Sequence, residues 1–156
     1  MKVQTLLFLI DTQEQRVLLA MKKRGFGVGK WNGVGGKVER GEALGDAVLR
    51  ETKEEIEVTV SPEDLEPVAT IQFSFHGSPH DTISGHVFIT KKWSGEPVET
   101  EEMAPKWFAF SDIPYSSMWV DDEHWLPQVL AGKKLDAKFM FSEDGSKILE
   151  MTIQEK

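Results

Sequence analysis

The eight residues Arg50 to Glu57, RETKEEIE, hold four glutamates. Like charges three or four apart on a helix cost roughly 0.2–0.5 kcal/mol per pair. A sequence that keeps them offers either a solvated acidic face or a seat for something cationic. On an ideal helix Glu51, Glu54 and Glu55 fall within about a third of the circumference. Leu44, Ala47 and Val48 lie on that same side a turn or two earlier, Leu49 and Ile56 point nearly opposite, Glu57 faces away and Lys53 lies between. An apolar stripe therefore runs directly into acid on a helix buried on two sides, which leaves little room for a free solvated patch. Carboxylates grouped in this way suit Mg²⁺ or Mn²⁺, hard ions that take oxygen ligands and keep several waters.

Other chemistries are excluded by what is missing. The P-loop pattern GxxxxGK[ST] is absent, because Lys37 is followed by Val38. His76, His80, His86 and His124 show no metal-ligand spacing and are expected to be surface or structural. With no cysteine there is neither a disulfide framework nor a thiolate metal site, which fits a reducing compartment. The net charge of −8 disfavours a nucleic-acid polymer, whose affinity comes from lysine and arginine on many phosphates. A small phosphorylated ligand is compatible with it, provided divalent cations offset the repulsion between acidic protein and acidic substrate.

The elements that position these residues belong to one domain, 1–156. The longest N-terminal apolar run, LLFLI, is five residues, too short for a signal core or a membrane span. A cytoplasmic monomer with no membrane partner is expected. Val3 to Ile10 and Arg16 to Lys22 read as a hairpin around DTQEQ. Trp31 to Val38 carries Gly33, Gly35 and Gly36, read as glycines that let backbone approach a ligand. Leu44 to about Ile56 reads as a helix, Val68 to Phe75, His86 to Trp93 and Lys106 to Phe110 as strands, and Asp122 to Leu130 as a second helix despite Pro127. AKFMF, SEDG and SKILEMTI form a last hairpin with an Asp-Gly turn. Strands around two well-separated helices give an α+β, layered α/β/α plan with a mixed sheet rather than a regular βαβ alternation.

From Gly36 the chain runs GKVERGEALGDAVLRETKEEIEV, which is similar to the signature of the Nudix hydrolases. Gly36, Glu42, Arg50, Glu51, Glu54 and Glu55 match in fixed register, which chance would produce on the order of once in ten million starting points at about 7% per residue type. Thr52 stands where the pattern has an aliphatic residue and Glu57 where it has the glycine that ends the helix, while Val58 keeps the final aliphatic. The first departure bears on packing and the second on the left-handed C-cap. MKKRGFG (21–27), WNGVGGKV (31–38), EEMAPKWF (101–108) and MWVDDEHWLP (118–127) resemble the MutT-homologue oxidised-purine nucleoside triphosphatases, from about Thr5 to Ile153. HGSPHDTIS matches poorly.

The resemblance implies a Nudix-type α/β/α sandwich that hydrolyses damaged purine nucleoside triphosphates to the monophosphate and pyrophosphate and so sanitises the nucleotide pool. It implies that Gly36 through its carbonyl, Glu51, Glu54, Glu55 and Glu102 hold magnesium. Asn32, Asp121 and Asp122 would read the base edge, Thr5, Phe26, Phe73, Trp119 and Trp125 would line or stack on the base, and Lys22 would lie near the nucleotide. A carboxylate takes the proton of the attacking water, with Glu51, Glu55 and Glu102 all eligible, and Arg50 orients the glutamates. Adjacent Asp121 and Asp122 would also serve as a helix N-cap. In an apolar pocket two such carboxylates do not both ionise, so one donates while the other accepts. Two other readings stay open on the sequence: a Nudix hydrolase of a dinucleoside polyphosphate or nucleotide sugar, and a non-catalytic nucleotide-binding module. The intact Glu51, Glu54 and Glu55 argue against the last.

Overall fold

Two strands near the start of the chain set the architecture because both of their faces are buried. In a computed structural model that describes residues 1–156, β1 (Lys2–Asp11) turns Phe8 and Ile10 to one core and Leu7 and Leu9 to another. β2 (Arg16–Lys22) divides Val17 and Leu19 from Leu18 and Ala20 in the same way. Side chains alternate along a strand, so an unbroken run such as LLFLI marks a strand covered on both sides. One cover is α1 (Leu44–Ile56), whose Val48 and Ile56 pack on Leu7, Leu9 and Leu18. The other is α2 (Asp122–Leu130), whose Trp125, Leu126 and Val129 pack on Phe8, Val17 and Leu19. The result is the expected α/β/α sandwich.

The remaining strands are β3 (Trp31–Asn32), β4 (Glu66–Phe75), β5 (Ser78–Thr90), β6 (Met103–Ala109), β7 (Leu135–Phe141) and β8 (Ile148–Glu155). They run in the order β3-β2-β1-β5-β4-β7-β8, with β6 on β2. The sheet is mixed: β1 with β5 and β4 with β7 are parallel and the other pairs antiparallel. No helix is long and apolar enough to cross a membrane.

The first hairpin differs from its sequence reading. β1 and β2 pair only at Ile10–Val17 and Asp11–Arg16 before they part, β1 to join β5 and β2 to join β6 and β3. The glycine-rich segment fills the split, bridging β1 at Leu7–Val34 and Gln4–Lys37. Its glycines are needed against protein rather than ligand. A Cβ at Gly35 would sit 2.0 Å from the Thr5 carbonyl oxygen and one at Gly33 2.9 Å from that of Leu7.

β5 also begins well before His86, because HGSPHDTIS is the start of a long strand that turns back from β4 through His76-Gly77. Gly77 takes φ 82°, as a tight hairpin requires. Pro79 is tolerated there because β1 does not pair with β5 until Ile83. Trp93 falls outside β5, and β6 starts at Met103 rather than Lys106.

Candidate active site

The glutamates of α1 are graded by depth. Glu55 is 3% exposed, and its Oε2 accepts the Gly35 amide at 3.0 Å. Burial, reinforced by the nearby Glu51 and Glu102 charges, pushes its carboxyl up to about 8. Glu51 is half-buried and is likewise raised by burial, with Arg50 opposing the shift and Glu54 and Glu102 adding to it. Glu54 is largely exposed. Glu102, in the turn before β6, is exposed and lies 3.6 Å from Arg24.

The cation among these acids is first of all the chain's own Arg50. It donates to Glu42 at 2.9 and 3.0 Å, to Glu51 at 3.0 Å, to Glu54 at 3.4 Å and to the Lys37 carbonyl at 3.2 Å. The Arg50 bond, with the Glu39 amide, holds Glu42 down at about 2. No three carboxylates converge closely enough to enclose a metal as they stand. The donor set nevertheless fits a divalent ion. It is all oxygen, and Glu51 and Glu55 sit where added positive charge relieves both burial and mutual repulsion.

Backbone closes this end of the site. A Cβ at Gly36 would meet the Glu51 carboxyl at 2.8 Å, so any larger residue would displace that carboxyl, and the Gly36 carbonyl accepts the Thr5 amide at 2.9 Å. Thr100, absent from the sequence reading, donates its hydroxyl to the Glu55 carbonyl at 2.7 Å and accepts the Glu102 amide at 3.3 Å. It ties the end of α1 to the turn that carries Glu102. Lys22 is close enough for its charge to lower Glu55.

The two departures from the signature are absorbed locally. Thr52 is fully buried and donates to the Val48 carbonyl at 2.7 Å, which satisfies its hydroxyl inside the apolar seam. Glu57 takes the left-handed conformation, φ 58° and ψ 34°, and its amide bonds the Lys53 carbonyl, so the C-cap survives without glycine.

On the opposite face of β1 lies a slot of about 100 Å³. One water needs roughly 10–15 Å³ of such space, so the slot has room for several waters or for a flat ring. Phe26, Asn32, Phe73, Trp119, Asp121, Asp122 and Trp125 all line it. Gln4, Leu6, Phe75, Ile83, Gly85 and Phe141 line it as well, and strand alternation would have placed Gln4 and Leu6 beside Phe8. Thr5 does not reach the slot. It is buried on the glutamate side of β1 for the same reason of alternation, with its amide and hydroxyl on Gly36.

Each slot residue has a distinct setting. Phe73 stacks 5.7 Å from Phe141. Phe26, 70% exposed, leans on Trp119 at 5.2 Å, and Lys30 sits 5.1 Å over the same indole. Trp125 is fully buried, edge-on to Phe8 at 6.0 Å, so it is wall rather than stacking platform. Asn32 Oδ1 accepts the Gly33 amide at 2.8 Å, which leaves its NH₂ donors free of protein partners.

Asp121 and Asp122 are 3% and 2% exposed. Neither side chain caps α2. Asp121 instead accepts the Trp125 indole N–H at 2.8 Å, and Asp122 Oδ2 is buried with no partner. Burial raises both. Trp125 restrains Asp121, whereas the Asp121 charge drives Asp122 further up despite Lys30. Asp122 is the member of the pair pushed up the further.

The slot and the glutamates are joined by Asn32 to Gly36, a span of at most about 14 Å for four residues. A roomier depression of about 460 Å³ over β4, β5, β7 and β8 shares Phe73 and Ile83 with the slot and is remote from α1. Size does not choose the site; chemistry does.

The comparison with known proteins agrees with this geometry. The NUDIX domain family matches residues 2–129. The chain belongs to the Nudix family. Among its Nudix relatives, a mouse protein named oxidized purine nucleoside triphosphate hydrolase is 45% identical over 92% of this chain and 89% of its own. A zebrafish (Danio rerio) protein of the same name is 44% identical over 90% and 86%. The crystal structure of a MutT mutator protein from Bacillus halodurans superposes with a TM-score of 0.84 at 24% identity, over 99% of this chain and 98% of that one, and supports the fold.

Proposed function

We propose that this Nudix enzyme hydrolyses oxidised purine nucleoside triphosphates to the monophosphate and pyrophosphate, with Mg²⁺ as the working ion and Mn²⁺ as a substitute, on the cytoplasmic nucleotide pool. The observation that carries the reading is an aromatic-walled slot holding two buried aspartates, Asp121 on the Trp125 indole and Asp122 with an unpartnered oxygen, within a nucleotide's length of the glutamate helix. The names of the mouse and zebrafish relatives support the substrate class.

Asp122 donates to, and Asp121 accepts from, the edge of the base, with the free NH₂ of Asn32 as a second donor. Such a pair is worth most away from water, and both carboxyls are buried. Phe73 and Trp119 supply apolar surface for the ring, and Lys22 balances phosphate charge. Glu51, Glu54, Glu55, Glu102 and the Gly36 carbonyl are the groups that would hold divalent metal. A bound divalent ion neutralises phosphate charge and acidifies a water. Glu51, Glu55 and Glu102 are each suited to accept that water's proton as it attacks phosphorus. Arg50 keeps Glu51 and Glu54 in place and is itself anchored by Glu42.

The test is kcat/KM on a panel of purine nucleoside triphosphates. A preference for oxidised over ordinary bases of tenfold or more, about 1.4 kcal/mol, is expected. Equal turnover of both, or turnover only of linked dinucleotides or nucleotide sugars, contradicts the reading.

A further inference from the structure

Of the carboxylates offered to metal, Glu102 alone lies outside α1. It stands in the turn before β6 with its side chain 53% exposed, and its ion pair with Arg24, at 3.6 Å, is itself in solvent. Exposed pairs of that kind do little to fix a side chain. The backbone of Glu102 is what the fold holds. Its amide donates to Thr100 Oγ1 at 3.3 Å, and its carbonyl accepts the Lys23 amide at 2.9 Å. The same Thr100 oxygen accepts the Met103 amide at 3.3 Å and donates its proton to the Glu55 carbonyl at 2.7 Å. A hydroxyl has one donor and two acceptor positions, so all of them are filled and none is left for water or substrate.

The last carbonyls of a helix have no partner within it. Those of Glu55 and Ile56 are met by the Thr100 hydroxyl and by the Val98 amide at 3.1 Å. One oxygen atom therefore links the backbone of Glu55, buried in α1, to that of Glu102, exposed on the turn. Lys23 adds a second tie, its ammonium on the Thr100 carbonyl at 2.9 Å and on Glu99 at 2.5 Å. We propose that Thr100 is a positioning residue for divalent metal, its hydroxyl holding Glu102 in register with the α1 glutamates so that both parts of the ligand set reach one ion. The inference rests on Glu102 being a ligand, as in the proposed function. An exposed carboxylate on a loose turn loses freedom when it is ordered as a ligand, and a turn already pinned loses less.

Mn²⁺ binding to the intact chain without nucleotide, followed by electron paramagnetic resonance of the free ion, reads this directly. Thr100→Val keeps the shape and removes the bonds, and should weaken Mn²⁺ binding about tenfold or more, while Thr100→Ser keeps the hydroxyl and should stay within about threefold of wild type. A helix cap with no bearing on metal would lower the melting temperature of Thr100→Val and leave its Mn²⁺ affinity alone. Glu102→Gln is the reference and should lose at least as much affinity as Thr100→Val. Weakening by Glu102→Gln with wild-type affinity in Thr100→Val, or no rescue by Thr100→Ser, overturns the inference alone. Wild-type affinity in Glu102→Gln removes Glu102 from the ligand set, and this inference with it. Should Thr100→Val not fold, Lys23→Met decides at a side chain 36% exposed, where a loss of about threefold supports the tie and no loss overturns it.

Discussion

Glu55 carries a cost that the fold accepts for the sake of the site. Its carboxyl is raised to about 8 from the ordinary value of 4.5 by burial. Without metal, the stability tied to its protonated form is fully present below pH 4.5 and is lost as pH rises toward 8. Glu55→Gln keeps an oxygen for the Gly35 amide and removes the charge. The metal-free variant is therefore expected to be more stable than wild type at pH 8, by a few kcal/mol at most on the order of the linkage relation, and equal to it near pH 4. Denaturant titrations at the two pH values check this, and a variant less stable than wild type at pH 8 contradicts it. Asp121 and Asp122 make a separate residue-scale prediction. Asp121→Asn turns the accepting member of the pair into a neutral amide, so the ratio of kcat/KM between oxidised guanine and oxidised adenine substrates should change by tenfold or more, about 1.4 kcal/mol. An unchanged ratio argues against base reading by this pair.

At the scale of elements, α1 shows how far local pattern reaches. Its bounds, Leu44 and Ile56, and those of α2, Asp122 and Leu130, were legible from apolar spacing, although Glu57 replaces the glycine that would end α1 and Pro127 lies inside α2. The glutamate spacing was legible for the same reason. What was not legible depends on partners distant in sequence. Arg50 is answered by Glu42 across a loop, Thr100 caps Glu55 from 45 residues away, and β2 leaves β1 because β6 competes for its edge. The polar start of β5 lacked an apolar rhythm, although His76-Gly77 was a turn signal. Thr5 was assigned to the slot by resemblance, whereas strand alternation puts it on the other face. Glu57 offers a test of α1 itself. A left-handed non-glycine residue costs roughly 1–2 kcal/mol. Glu57→Gly should thus raise stability by about 1 kcal/mol and Tm by about 2–4 °C for a chain of this size. A lower Tm in calorimetry would mean the cap is not strained.

For the whole molecule, the split between β1 and β2 is the organising feature. It lets one glycine-rich segment lie along β1 with Asn32 at the slot and Gly36 against Glu51, so that base and phosphate ends are set by a single stretch of backbone. α1 and α2 then carry their acidic groups on opposite faces of the same strands, glutamates for metal and aspartates for the base. The most direct test is product analysis with 8-oxo-dGTP, comparing wild type with the Glu54→Gln, Glu55→Gln double variant, with and without Mg²⁺. The account predicts monophosphate and pyrophosphate from wild type only when Mg²⁺ is present, and a loss of at least about a hundredfold in kcat, roughly 2.7 kcal/mol, in the variant. Undiminished turnover by the variant, metal-independent hydrolysis, or release of orthophosphate instead of pyrophosphate would contradict it.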